Sequence, residues 1–345
     1  MMKALRIYKD AVLKLEDIPE PIVGDNEVKI RVAACGVCGS DIPRIFDNKA
    51  HYYPIVLGHE FSGIIAELGE KVTGFNIGDH VVAAPLIPCH KCIDCKNGNY
   101  SLCKDYSFIG SRVQGAMAEF VVVPQENVVK LDESIDLKNA AMIEPITVAL
   151  HGFKQNNFKA GYNVAIFGMG TIGCISAQVA KAKGARHITA FVRNENHNEL
   201  AKKCGVDTIV NTSDKDWESK VHSITDGRGY NYVFETAGSA QTIMQCFKMA
   251  ANKAHVCLIG TPKSKVSFSV SEWEQINRKE FYLTGSWMSY SAPFPGDEWK
   301  EAVDLLKNSK VRIYPEMIMN LQLKDEKSID SIRKQNSARR LINME

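Results

Sequence analysis

Residues 168–173 read GMGTIG, between a short apolar run, NVAIF (163–167), and a stretch with helical spacing, TIGCISAQVAKAKG (171–184). A strand, a glycine-rich turn and a helix in that order restrict the fold severely. Gly168 permits the tight turn, Gly170 lets the backbone approach a pyrophosphate, and Gly173 allows close helix–strand packing. The start of the helix then faces the anion, so Gly168, Met169, Gly170, Thr171, Ile172 and Gly173 are expected to cradle a dinucleotide.

The segments that follow keep the same rhythm. HITAFV (187–192), TIVN (208–211), YNYVFETAG (230–238), AHVCLIG (254–260) and FYLTGSW (281–287) read as strands, and NELAKKCG (198–205) reads as a helix between two of them. Strands alternating with helices imply parallel βαβ units with both sheet faces covered. The first 130 residues have a different texture. VKIRVAA (28–34), FSGIIAEL (61–68), HVVAA (80–84) and EFVVV (119–123) are short β-type runs broken by turn residues. Leu137–Phe153 reads as a helix, as does Glu298–Leu306, and the chain beyond is irregular. At 345 residues the chain exceeds the size at which one core stops growing. Two domains are expected: 1–148 with 288–345, and 149–287.

An acid binding the ribose 2′-hydroxyl is expected at the end of the second parallel strand. Val192, Arg193 and Asn194 stand there instead. An arginine attracts a 2′-phosphate that a carboxylate would repel, so Arg193 tilts the reading from NAD toward NADP without excluding either.

Residues 89–103 read CHKCIDCKNGNYSLC, which spaces Cys89, Cys92, Cys95 and Cys103 as C-x2-C-x2-C-x7-C. Four thiolates close a tetrahedron around zinc and leave no open position, so the set is expected to be structural. An iron–sulfur cluster is the alternative, but the fourth cysteine lies far along and no proline follows it. A second group of metal-type residues is spread over three segments. Cys38 lies in ACGVCGSD (34–41), His59 and Glu60 in GHEFSG (58–63), and Glu144 precedes Pro145 in AAMIEPITVALHG (140–152). A thiolate, an imidazole and a carboxylate suit a catalytic zinc, which takes three protein ligands and leaves one position open.

Net charge of +2 gives no electrostatic reason to expect nucleic acid or a membrane surface as partner. No apolar run reaches the roughly 18 residues that span a bilayer, and MMKALRIYKD has no secretory pattern. A cytoplasmic protein with reduced thiols is expected.

CGVCGSD, GHEFSG, the four-cysteine lobe, IEP and GMGTIG occur in the order and spacing of the zinc-dependent medium-chain dehydrogenase/reductase superfamily, and the resemblance covers essentially the whole chain. The longer stretches CGSDIPRIFDNKAHYYPIVLGHEFSG (38–63), IGSR (109–112) and GSWMSYSAPFPGDEW (285–299) resemble polyol-phosphate members of its sorbitol dehydrogenase branch. The resemblance implies an α/β architecture: a GroES-like β-rich domain carrying both zinc sites, joined to a Rossmann doubly wound parallel sheet. It implies two zinc ions per chain, one catalytic on Cys38, His59 and Glu144, one structural on the four cysteines. Glu60 would adjoin the catalytic ion or exchange onto it. NAD or NADP would accept a hydride, a small-molecule polyol phosphate would be the substrate, and the chain would form a homodimer or homotetramer. Ser40 would pass a proton to solvent. Arg44, then Arg112, are the candidates for holding the phosphate; His51 and Tyr52 are candidates for the polyol hydroxyls, and Trp287 and Met288 for lining the cleft. The chain departs from the family pattern at Arg193 and in its C-terminal segment, KQNSARRLINME.

Overall fold

The structure, a computed structural model, describes residues 1–322, 331–332 and 339–344. It divides into two compact units. The first comprises Met1–Glu144, Tyr290–Lys307 and Pro315–Glu345, and the second Pro145–Ser289 with Asn308–Tyr314. The sequence-based boundaries at 148/149 and 287/288 thus move by a few residues, and a short piece beyond the second boundary joins the nucleotide-type unit. The helix Ile143–Gln155 runs across the first junction, which is why no loop signal marked it.

The first unit is built on antiparallel pairing. Strand Glu27–Val37 is its spine, pairing with Glu60–Leu68, with Phe120–Pro124 and with Arg339–Asn343. Its alternate residues Val28, Ile30 and Val32 face a core that includes Ile55, Leu57, Phe61, Ile65, Val81 and Val121. A smaller sheet sets Met2–Ile7 between Leu13–Ile18 and Ile55–Val56. The C-terminal segment, irregular by sequence, forms the strand Arg339–Asn343, antiparallel to Glu27–Val37 and parallel to Ile318–Gln322. Neither pairing is local, so no short-range pattern announces it.

The second unit is a parallel sheet. In spatial order its strands are Thr208–Asn211, His187–Val192, Asn163–Phe167, Tyr230–Glu235, Ala250–Leu258 and Tyr282–Gly285. The order reverses between Asn163–Phe167 and its two neighbours, the switch point at which open α/β sheets bind ligands. Phe167 and Phe191 stack at 4.1 Å in the core beneath it. The single helix expected over 137–153 is two, Leu137–Ala140 and Ile143–Gln155. Pro145 lies in the first turn of the second and cannot donate backward, so the helix cannot continue from the preceding turn.

Candidate metal and dinucleotide sites

In the first unit, the ligand atoms of Cys89, Cys92, Cys95 and Cys103 lie within 4.8 Å of one another. Backbone N–H groups already favour anions here: Cys89 N donates to Cys103 Sγ at 3.3 Å and Cys95 N to Cys92 Sγ at 3.5 Å. Backbone hydrogen bonds lower the Cys89 and Cys92 thiols, whereas burial raises Cys95 and Cys103. Hydrogen bonding thus favours the thiolate at the first two, burial opposes it at the other two, and a bound cation would offset that cost. The lobe is tied to a distant segment. Tyr290 N donates to Ser101 Oγ at 3.3 Å, Leu86 N to the Tyr290 hydroxyl at 3.2 Å, and Phe294 packs edge-on to Tyr100 at 5.3 Å.

A second cluster brings Cys38, His59 and Glu60 together, again with ligand atoms within 4.8 Å. Strand pairing explains the convergence. Gly36 stands opposite Glu60 in the register, and a methyl group on Gly36 would overlap the Glu60 carboxylate. Cys38 leaves the same strand through a turn closed by Asp41, whose Oδ2 accepts from Cys38 N at 3.0 Å. Asp41 is fully buried and its Oδ1 also meets His59 Nδ1 at 3.6 Å and Arg44 at 3.0 Å. At 3.6 Å the Asp41 carboxylate lies beside the ring without hydrogen-bonding Nδ1, which stays open to a cation. The carboxylate in this cluster is Glu60; Glu144, expected from sequence as the third ligand, lies at the start of its helix and is not one of the three. Burial pushes its carboxyl up to about 7, with the His59 ring lowering it and the Glu60 charge raising it, so it shares the field of the cluster. Burial likewise raises Glu60 to about 8, against the Arg339 guanidinium that lowers it. His59 Nδ1 and both Glu60 oxygens are buried without hydrogen-bond partners. Orphaned donor atoms of these types fit a cation, and a thiolate, imidazole and carboxylate set fits zinc.

In the second unit, GMGTIG links the strand Asn163–Phe167 to the helix Thr171–Ala182. Gly168 adopts φ +94°, nothing lies within 4 Å of where a Gly170 side chain would sit, and a Gly173 side chain would strike Gly168 O. Turn, open approach and close packing are the three properties a pyrophosphate cradle needs. Arg193 is exposed after its strand, and Ser213 Oγ donates to its carbonyl at 2.8 Å.

Residues 24–133 match the family described as Alcohol dehydrogenase GroES-like domain, and 171–308 the family Zinc-binding dehydrogenase. Galactitol 1-phosphate 5-dehydrogenase of Escherichia coli (strain K12) is 40% identical over 316 residues, 91% of each chain. The chain belongs to the zinc-binding alcohol dehydrogenase family. A sorbitol dehydrogenase of Halalkalibacterium halodurans is 35% identical over 302 residues, 86% of this chain and 85% of that one. The crystal structure of galactitol-1-phosphate dehydrogenase from Escherichia coli superposes with a TM-score of 0.94 at 37% identity, covering 99% of this chain and 100% of that one. This zinc-binding dehydrogenase is accordingly an oxidoreductase using zinc and NAD(P), with a GroES-like domain and a doubly wound nucleotide-binding sheet.

Of the substrate candidates of this dehydrogenase, Arg44, His51, Tyr52 and Arg112 lie in the first unit and Trp287 and Met288 in the second. Arg44 is less free than sequence suggested: its guanidinium donates to Ser40 Oγ at 3.1 Å as well as to Asp41. Ser40 stands at the cap of helix Asp41–Phe46, but its side chain makes no capping bond. Arg112 stacks over Tyr106 at 4.3 Å. His51 and Tyr52 are both exposed. Burial lowers the His51 pKa, and Arg112 and Arg44 lower it further, so both guanidinium groups act on one imidazole. Trp287 is exposed and Met288 has φ +59°. Two residues escaped sequence reasoning. Asp41 carried a signal, an acid three residues past Cys38. Arg339 carried none, because a strand pairing brings it to Glu60.

Proposed function

We propose that this dehydrogenase oxidises a secondary alcohol of a polyol phosphate, galactitol 1-phosphate to the ketose tagatose 6-phosphate, with hydride transfer to NAD(P)+. The reading of a phosphate is supported by the positive field that Arg112 and Arg44 both place on His51. Two cations acting on one imidazole repel each other, and a phosphate between them relieves that repulsion with charge-assisted hydrogen bonds. The relatedness to galactitol 1-phosphate 5-dehydrogenase supports the same substrate class.

Cys38, His59 and Glu144 would hold the catalytic zinc, with Glu60 adjoining it, and Cys89, Cys92, Cys95 and Cys103 a structural one. The catalytic zinc supplies Lewis acidity that brings the pKa of an alcohol toward neutrality. Ser40 would take up the proton released from that alcohol. The Arg44 guanidinium donates to Ser40 Oγ, which leaves the Ser40 hydroxyl proton free to pass outward. Bound NAD(P)+ would supply the acceptor for the hydride that the carbinol carbon gives up. Gly168, Met169, Gly170, Thr171, Ile172 and Gly173 would cradle the pyrophosphate, and Arg193 would favour NADP+ by meeting a 2′-phosphate.

Oxidation of an unphosphorylated polyol of the sorbitol or xylitol type is the second reading. It is favoured by the ties of Arg44 to Asp41 and Ser40, which leave that side chain less free for a phosphate. Self-association as a homodimer or homotetramer is supported by the edge strand Tyr282–Gly285, where Tyr282 and Leu283 are exposed beside unpaired backbone. A cytoplasmic location is supported by ten cysteines, none of which is in a disulfide.

The test is the absorbance of reduced nicotinamide, with galactitol 1-phosphate and galactitol each offered with NAD+ and NADP+. Faster turnover of the phosphate ester is the expected outcome. Equal or faster turnover of galactitol moves the substrate to a plain polyol.

A further inference from the structure

The loop after strand Tyr230–Glu235 holds the glycine-rich turn through one hydroxyl. Thr236 N donates to Phe167 O at 3.0 Å, and Thr236 Oγ1 reaches Phe167 O at 2.9 Å and Gly168 O at 3.0 Å. A single hydroxyl proton is therefore shared between two successive carbonyls. On its other side, Gly168 N donates to Phe191 O at 3.1 Å. The peptide units flanking Gly168 are fixed from both neighbouring strands, and their orientation sets where the Met169 and Gly170 N–H groups point.

The loop that follows Thr236 is held by a buried carboxylate. Glu235 is fully buried, and its Oε1 accepts from Ala237 N at 3.0 Å, Gly238 N at 2.9 Å and Thr242 Oγ1 at 2.7 Å. The Glu235 carbonyl accepts from Ile259 N at 2.9 Å and Gly260 N at 3.0 Å. Three loops at the carboxyl end of the sheet thus meet at Glu235 and Thr236. A buried carboxylate costs stability unless its bonds are satisfied, and all those named here are spent on loop backbone and one helix hydroxyl, none on a ligand.

We infer that Thr236, at the head of the loop that Glu235 clamps, is a positioning residue for the dinucleotide: its hydroxyl presets the Gly168–Gly170 backbone for the pyrophosphate. The inference rests on the reading of GMGTIG as the dinucleotide cradle. Preorganised donors bind more tightly because less ordering remains to be done on binding.

The experiment measures the dissociation constant of NAD(P)H and of ADP-ribose on zinc-replete protein, with KM, kcat and thermal midpoint alongside. Thr236→Val keeps the shape and removes the hydroxyl; Thr236→Ser keeps the hydroxyl. Two neutral hydrogen bonds at about 1 kcal/mol each, partly shared, correspond to roughly tenfold weaker binding. Thr236→Val is expected to raise both dissociation constants and the dinucleotide KM about tenfold, with the alcohol KM unmoved. Thr236→Ser is expected to stay within about twofold of the parent. Dinucleotide affinity unchanged in Thr236→Val, or weakened equally in Thr236→Ser, overturns the inference. Should Thr236→Val fail to fold, Thr236→Cys replaces it, since a thiol is the weaker donor; affinity between that of parent and a tenfold loss supports the inference, and parental affinity overturns it. If the parent protein binds no dinucleotide, the reading of GMGTIG fails instead.

Discussion

The Arg339 guanidinium lies 3.3 Å, Nε to Oε2, from the Glu60 carboxylate, with one side chain 10% and the other 1% exposed. The two are nearly 280 residues apart in sequence and meet because strand Arg339–Asn343 pairs with Glu27–Val37, which pairs in turn with Glu60–Leu68. The contact is close but poorly aligned, since Arg339 Nε and both Glu60 oxygens lack hydrogen-bond geometry to any partner. A guanidinium that neutralises Glu60 without fully binding it leaves that carboxylate able to turn toward a metal.

Burial raises Glu60 to about 8 and Glu144 to about 7, each from an ordinary 4.5. Each group therefore binds its proton more tightly in the folded than in the unfolded protein. That contribution to stability is complete below about pH 4.5 and is lost as pH rises through about 7 to 8. Zinc-free protein should thus show a thermal midpoint that falls over this range. Glu60→Gln should flatten the fall, and Arg339→Met should extend it to higher pH by removing the cation that lowers Glu60. A midpoint independent of pH in the zinc-free parent would contradict the burial of these two groups.

Arg112 should be the cleaner test of phosphate recognition. Arg112→Ala should raise KM for galactitol 1-phosphate by roughly 10- to 100-fold, the worth of a charge-assisted hydrogen bond, and leave KM for galactitol unchanged. Arg44→Ala also removes the partner of Asp41, so it should lower kcat on both substrates as the Cys38 turn loosens. Steady-state kinetics on the two substrates separates the cases. An equal loss on galactitol in Arg112→Ala removes that residue from the phosphate site.

The legible parts of this molecule were those whose cause is local. GMGTIG declares itself because a turn, an approach and a packing contact each demand glycine within six residues. The cysteine lobe declares itself because one loop supplies all four thiols. Cys38, His59 and Glu60 could be picked out by residue type, but only strand register, with Gly36 opposite Glu60, explains their meeting. Arg339 lay beyond reach, since nothing in KQNSARRLINME marks a strand whose partner lies some 300 residues away. Thr236 was hidden for a related reason: it stands in a strand-ending ETAG that resembles many turns, and its meaning comes from the carbonyls above it. The C-terminal residues 323–330 and 333–338 lie outside the described part of the chain.

Cofactor preference should follow Arg193. Arg193→Ala should weaken NADP+ about tenfold or more, a charge-assisted bond lost, and change NAD+ affinity little. Dissociation constants for both dinucleotides check this directly. Equal effects on the two would leave Arg193 as an exposed turn residue.

Cys95→Ser should remove one zinc per chain by metal analysis and lower the thermal midpoint, because structural zinc sites contribute directly to folding free energy. The disturbance should spread to Tyr290–Phe294, which packs on the lobe through Ser101 and Tyr100. Intrinsic fluorescence of Trp299, stacked on Tyr290 at 6.2 Å, offers a reporter for it once Trp217, Trp273 and Trp287 are replaced. Retention of two zinc ions would separate the cysteine set from metal binding.

The strand Arg339–Asn343 lies inside its sheet, between Glu27–Val37 and Ile318–Gln322. Any chain too short to include this strand holds Cys38, His59 and Glu60 without the cation that balances Glu60. A truncation that removes the strand therefore acts on the candidate metal cluster as directly as a change at Glu60 itself.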